Sequence, residues 1–214
     1  MRFKLFINVL FASLTILITG CKEQNNSKVS SFYCKGLDID CISQMKNVVF
    51  NTSKGSFIVE VYGDKAPVTS SVFLHNIKLG IYNDTKISEI ITLPKTSIIL
   101  FKPRSLNSKK LSIKKNIPLE IKLKGEKEAR YNSLIKHPEE LSKLEIKSQL
   151  GSIAMNRSFD FDSGGTEFFF LSNRFKEIEG RYTIFGRVKT GMDVLDKLNE
   201  YDYIKSIRLI NANP

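Results

Sequence analysis

The chain has 214 residues, of which 33 are Lys or Arg and 22 are Asp or Glu, giving a net charge of +11. The lysines are scattered, and the densest cluster, KKLSIKK at 109–115, alternates with apolar residues instead of forming a basic stripe interleaved with aromatics, so a solvated exterior fits better than a nucleic-acid surface. The paired cysteines lack further Cys or His partners, and His75 and His137 lie far from them, which argues against a zinc site.

Arg2 and Lys4 precede an apolar run from Leu5 to Ile18, which is shorter than the about 20 residues a membrane span needs. The run closes with Leu17-Ile18-Thr19-Gly20-Cys21, which resembles the lipobox of bacterial lipoprotein signals. That resemblance implies that residues 1–20 are a signal peptide removed before Cys21, with acyl chains added to the Cys21 thiol and its new amino group. An ordinary signal peptide followed by a chance cysteine is the alternative. At roughly 0.8 kcal/mol per buried CH₂, several chains hold a protein at a membrane without spanning it. The expected location is the bacterial cell envelope, outside the cytoplasm, where nucleic acid is not a partner.

Residues 21–46 read as a polar tether, because KEQNNSKVSS shows no apolar periodicity. Within it, Cys34 and Cys41 sit in CKGLDIDC. An oxidising compartment favours one local disulfide between them over two free thiols. About 165 residues follow from Lys46, enough for one domain with a true core, taken as 47–211.

That domain opens with a β-hairpin, Val48-Val49-Phe50 and Phe57 to Tyr62, turned at Ser53-Lys54-Gly55. Residues 63–80 follow helical spacing through Val68, Val72, Phe73 and Ile77, with Pro67 in the first turn and Gly80 at the C′ position. Further strand-like runs are Ile87–Leu93, Ser97–Phe101, Leu119–Leu123, Gly151–Met155, Glu167–Leu171, Tyr182–Val188 and Ile204–Ile210. Residues 191–200 resume the helical period through Met192, Leu195 and Leu198. The charged stretch 125–149, which contains Pro138, reads as a long excursion with some helix. Many short strands with two helices predict a mainly β fold, an antiparallel barrel capped by two helices.

The order of the motifs NTSKGSFIVEVYGDKAPVTSSVFLHNIKLGIYN, IPLEIK, GSIAMNR, GGTEFFFL and GRYTIFGRVKTGMDVLDKL resembles the cyclophilins, the barrel-type peptidyl-prolyl cis-trans isomerases. The resemblance covers about residues 47–210 and implies a monomer that binds proline-containing or extended peptide segments. Rotation about an X–Pro bond faces a barrier of about 18–20 kcal/mol, set by amide resonance. Catalysing it needs no nucleophile, metal or cofactor, only a pocket for the ring and a donor that favours the twisted amide.

The resemblance also assigns residues. Alternation along a strand sends Glu167 and Phe169 to one face and Phe168 and Phe170 to the other. Phe169 and Met155 are expected to floor the proline pocket, with Asn156, Glu167, Ile178 and Tyr182 around the groove and Phe168 and Phe170 in the core. The family's donor arginine lies in a Phe-His-Arg-Val block, and the stretch here is Ile87-Ser88-Glu89-Ile90, so Glu89 occupies that position. One groove glutamine is replaced by Glu167 and the other has no clear counterpart in 93–103. The rim tryptophan and histidine positions read as Glu177 and Tyr182. The expected activity is therefore a weak isomerase in protein folding, its donor unassigned. The alternatives are a non-catalytic peptide-binding module or a surface lipoprotein with a vestigial pocket.

Overall fold

The computed structural model describes residues 28–103 and 116–210. The signal segment, Cys21 and the 109–115 cluster lie outside the described residues. In chain order, the elements are α1 (Lys28–Gly36), β1 (Met45–Thr52), β2 (Gly55–Tyr62), α2 (Pro67–Lys78), β3 (Thr85–Leu93), β4 (Thr96–Phe101), β5 (Glu120–Ile121) and β6 (Arg130–Tyr131). They continue with α3 (Pro138–Ser142), β7 (Ser152–Met155), β8 (Phe168–Leu171), a 3-10 turn (Lys176–Ile178), β9 (Ile184–Thr190), α4 (Met192–Leu195) and β10 (Tyr203–Leu209). Eight strands close an antiparallel barrel in the order β1-β10-β3-β4-β8-β7-β9-β2. Closure pairs every edge of the barrel, so no barrel strand is left open to template aggregation.

The barrel interior is aromatic. Phe50, Phe57, Phe73, Tyr82, Phe101, Phe168, Phe170 and Phe185 are all buried to within 1% of full coverage. Phe50 stacks on Phe57 at 4.8 Å, and Phe168 meets Tyr82 at 5.2 Å and Phe101 at 5.3 Å. Those on strands come from alternate positions, as the period of two requires, while Phe73 of α2 and Tyr82 of the turn after it fill in from one end. α2 closes one end by burying Val72 and Phe73, and its last turn hands over to Gly80 at φ 71°, a conformation glycine adopts without a Cβ clash.

Three expectations are corrected here. Residues 28–46 are not an unstructured tether: α1 forms, Tyr33 lies against the Tyr131 ring at 4.7 Å, and Cys34 is buried. Cys34 and Cys41 form a disulfide, with their Cα atoms 5.6 Å apart. Leu37, Ile39 and Ile42 then pack on the core, and the Ile42 N–H donates to Ser71 Oγ of α2 at 2.8 Å. Polar composition hid a segment anchored by a few apolar side chains. Second, α1 is an additional helix beyond those expected, α3 is the helix expected within 125–149, and α4 is only four residues long because the chain turns back through Asn199, whose N–H donates to Asp202.

Third, Leu119–Leu123 contributes no barrel strand. Glu120–Ile121 pairs with Arg130–Tyr131 in a separate two-stranded sheet, and Leu123 makes an isolated antiparallel bridge with Leu144. Glu120 explains the diversion: its buried carboxylate accepts the Val68 and Thr69 N–H groups at 3.2 and 2.9 Å, in the first turn of α2. That helix has no capping side chain of its own, since its N-cap is Ala66. A carboxylate there satisfies otherwise orphaned donors and meets the positive end of the helix dipole. The excursion thus folds back on the barrel around its own small core of Leu119, Ile121, Leu123, Ile135 and Leu144.

Candidate functional site

β8 separates two environments. Phe168 and Phe170 enter the barrel core, while Phe169 and Leu171 face outward into a second apolar cluster with Ala154, Ile178 and Ile184. Strand register extends this outward face sideways. Phe169 lies opposite Leu100 on β4 and Ala154 on β7, and Leu100 lies opposite Glu89 on β3. Residues directly opposite in an antiparallel pair share a face. Glu89, Leu100, Phe169 and Ala154 therefore form one row across four strands.

Phe169 is 4% exposed and serves as a floor, with half-buried Leu100, Phe175 and Tyr182 packed against its cluster. Its ring meets Tyr182 edge-on at 5.5 Å. The 3-10 turn that carries Ile178 is held from behind. Glu179, buried, accepts the Ser148 N–H and hydroxyl at 3.2 and 2.8 Å and Arg174 Nε at 3.1 Å. Arg157 closes the opposite side. Its guanidinium lies 5.0 Å from the Tyr182 ring and donates to the carbonyls of Arg181, Ser158 and Phe159.

Next to this floor, Glu167 holds a charged corner. Its Oε1 lies 3.0 Å from Lys102 Nζ, and its Oε2 accepts from Asn156 Nδ2 at 2.9 Å. These residues, with Arg157, Ser163 and Thr166, line an open cleft of about 350 Å³. Gly164 sets the approach of the chain to β8. A Cβ there would sit 2.8 Å from Ile117 Cγ1, and the Ile117 N–H donates to the Gly164 carbonyl at 2.8 Å. Only glycine lets the chain pass so close before β8 begins.

Asn156, Glu167, Phe169, Ile178 and Tyr182 thus converge on one outer face, and Glu89 stands exposed at its edge. Met155 does not join them. It pairs with Phe168, points inward, and is 3% exposed in the barrel core. The physical reason is parity: a residue opposite an inward residue is itself inward. Leu100 takes the flooring place expected of Met155. Lys102, beside Glu167, occupies ground where no counterpart residue was expected. Both could have been found by extending the alternation of Ile98-Ile99-Leu100-Phe101-Lys102, given the register of β4 on β8. Glu177 is exposed on the 3-10 turn. Among the described residues, no three His, Cys, Asp or Glu side chains are grouped to hold a metal.

The face offers an apolar floor, one carboxylate at its edge and a lysine–glutamate pair. Such a face can seat a small apolar ring and hydrogen-bond the amides beside it, without covalent chemistry. A family model described as "Cyclophilin type peptidyl-prolyl cis-trans isomerase/CLD" matches residues 47–212. Peptidyl-prolyl cis-trans isomerase-like 1 of Aspergillus fumigatus is 31% identical over 153 residues, 71% of this chain and 81% of its own length. Its counterpart from Emericella nidulans is 30% identical over 173 residues, 78% of this chain and 93% of its own. In fold, the chain is similar to a cyclophilin-type isomerase of Cryptosporidium parvum, with a TM-score of 0.55 at 19% identity over 79% of this chain and 99% of the other. A cyclophilin of Hirschia baltica gives a TM-score of 0.54 at 17% identity, over 88% of this chain and 82% of the other.

Proposed function

The chain belongs to the cyclophilin-type peptidyl-prolyl cis-trans isomerase family, and from that premise we propose that it is an exported, lipid-anchored bacterial isomerase of weak activity. Its substrates are proline-containing or extended segments of exported proteins. It works as a monomer without a cofactor. The observation that carries this reading is the outward row in which Phe169 and Leu100 floor a site edged by Glu89. The proline ring rests on Phe169, walled by Leu100, Ile178 and Tyr182, and Asn156 and Glu167 flank the peptide.

The floor supports binding, and the edge supports weakness. An ionised carboxylate accepts hydrogen bonds but cannot donate one. Losing one preorganised donor typically costs about 10²–10³ in rate, or roughly 2.7–4 kcal/mol. A proline pocket made of apolar side chains does not need that donor, so peptide affinity survives its loss. The lipobox-like residues 17–21 support the anchor. Cys21→Ser is expected to abolish fatty-acid labelling, and labelling that persists would remove the lipoprotein part of the proposal.

A protease-coupled isomerisation assay tests the rest. The expected rate lies above background and at least about a hundredfold below that of an ordinary cyclophilin, by the donor-loss scale. Phe169→Ala is expected to weaken peptide binding. A second reading, a peptide-binding module without catalysis, is favoured by the same acid at 89. Binding that requires Phe169, with no rate above background, would select it. Binding indifferent to Phe169 would select a vestigial pocket instead.

A further inference from the structure

We propose that Lys102 supplies the hydrogen-bond donor that position 89 lacks, and so is a catalytic residue of this site. The inference rests on the isomerase reading above. Lys102 follows the last residue of β4 and continues its alternation. Ile98 and Leu100 face outward, Ile99 and Phe101 inward, and Lys102 outward again. The β4–β8 register runs Leu100 to Phe169 and Phe101 to Phe168, so the next residues, Lys102 and Glu167, oppose each other, and Nζ reaches Oε1 at 3.0 Å.

On the other side of β4, Glu89 faces Leu100 and is therefore diagonal to Lys102, within reach of long side chains. The ammonium thus stands just past the end of β4 between two acids, Glu89 of β3 on one side and Glu167, which immediately precedes β8, on the other. It lies two residues along the strand from the Leu100–Phe169 row, a backbone offset of about 6–7 Å. An amide attached to a ring seated on Phe169 falls within that interval.

The corner is oriented in advance. Asn156 Nδ2 holds the second oxygen of Glu167, which fixes the carboxylate that holds the lysine. An ammonium has three donors, and Glu167 engages one. The Lys102 side chain is itself 61% exposed, so its other donors are open to a peptide. Hydrogen bonds from a charged donor are roughly twice as strong as neutral ones. No covalent bond forms or breaks. The amide loses conjugation as it twists and regains it afterwards, and the donor engages the twisted amide in between. Arg157 is less suited, because its guanidinium is already committed to three carbonyls and the Tyr182 ring.

The test compares wild type, Lys102→Met, Lys102→Arg and Phe169→Ala in the full chain, reading kcat/KM in the protease-coupled assay and affinity for the same proline peptide. Lys102→Met is expected to lower kcat/KM by about 10²-fold, or to the uncatalysed rate if that is reached first. Its peptide affinity should stay within about threefold and its thermal unfolding should not change, since the side chain is exposed. Lys102→Arg, which keeps a charged donor, is expected to retain a measurable rate. A wild-type rate in Lys102→Met would overturn the role of Lys102 and leave the isomerase reading standing. Equal loss of rate and affinity in Lys102→Met would also overturn it, because the residue would then be a binding group only. A wild type without catalysis, with binding still sensitive to Phe169→Ala, would overturn the isomerase reading and this inference together.

Discussion

Phe168 and Phe169 are neighbours in sequence and opposites in the fold. Phe168 touches the rings of Phe50, Phe73, Tyr82, Phe101 and Phe170, whereas Phe169 meets one ring, Tyr182. The inward face is a jigsaw in which each ring fixes several others. The outward face is a floor edged by Glu89, Lys102 and Glu167, charges that the barrel does not need. The difference teaches where change is tolerated: packing constrains the inside, while the outside can exchange an arginine position for an acid without losing the fold.

The largest expected effect lies on the inside. Phe168→Ala is expected to cost about 3–5 kcal/mol, the range for an aromatic removed from a packed core, measured by denaturant unfolding. Phe169→Ala should cost less stability and more peptide binding. If the two truncations gave the same pair of losses, the division between faces would fail. The next effect is on the outer edge. Glu89→Arg is expected to raise the isomerisation rate about tenfold or more, part of the 10²–10³ that one well-placed donor supplies. An unchanged rate would detach Glu89 from the chemistry.

Away from both faces, Glu120 offers a pH test of the barrel's support. Burial pushes its carboxyl above the ordinary 4.5, working against the Thr69 and Val68 N–H groups and the Tyr131 hydroxyl, which favour the charged form. A raised folded value means the stabilisation is fully present below the unfolded value and is lost as pH rises through the folded one. Thermal melts taken upward in pH from the ordinary carboxylate range should therefore show a decline that Glu120→Gln flattens. A decline of the same slope in the variant would assign it to other groups. The smallest effect is expected from Cys41→Ser. The bridge closes a loop spanning only seven positions beside the barrel, so the loss should stay under about 3 kcal/mol, with isomerase rate unchanged. Hydrogen exchange should loosen in α1 and not in β1.

How much could be read in the sequence follows the same division. Runs such as Phe57–Tyr62 and Phe168–Leu171 announce strands because hydrophobic, β-prone side chains recur where a barrel needs them. The facing of Phe169 and Glu167 also followed from a period of two. Met155 and Leu100 were exchanged because facing depends on inter-strand register, which one sequence does not display. Lys102 was missed for the same reason, since its partner Glu167 lies beside β8, far away in sequence. α1 was hidden by polar composition, and the run at 119–123 misled because Glu120 turns inward to cap a helix 51 residues earlier in the chain.

The central claim is that the outward face of β4 and β8 is a proline site with its donor displaced. The most direct measurement is the isomerisation rate of the wild type set beside its peptide affinity and that of Phe169→Ala. The account predicts detectable catalysis at least about a hundredfold below an ordinary cyclophilin, with binding that Phe169→Ala weakens. Full cyclophilin-like catalysis, or binding untouched by the loss of Phe169, would contradict it.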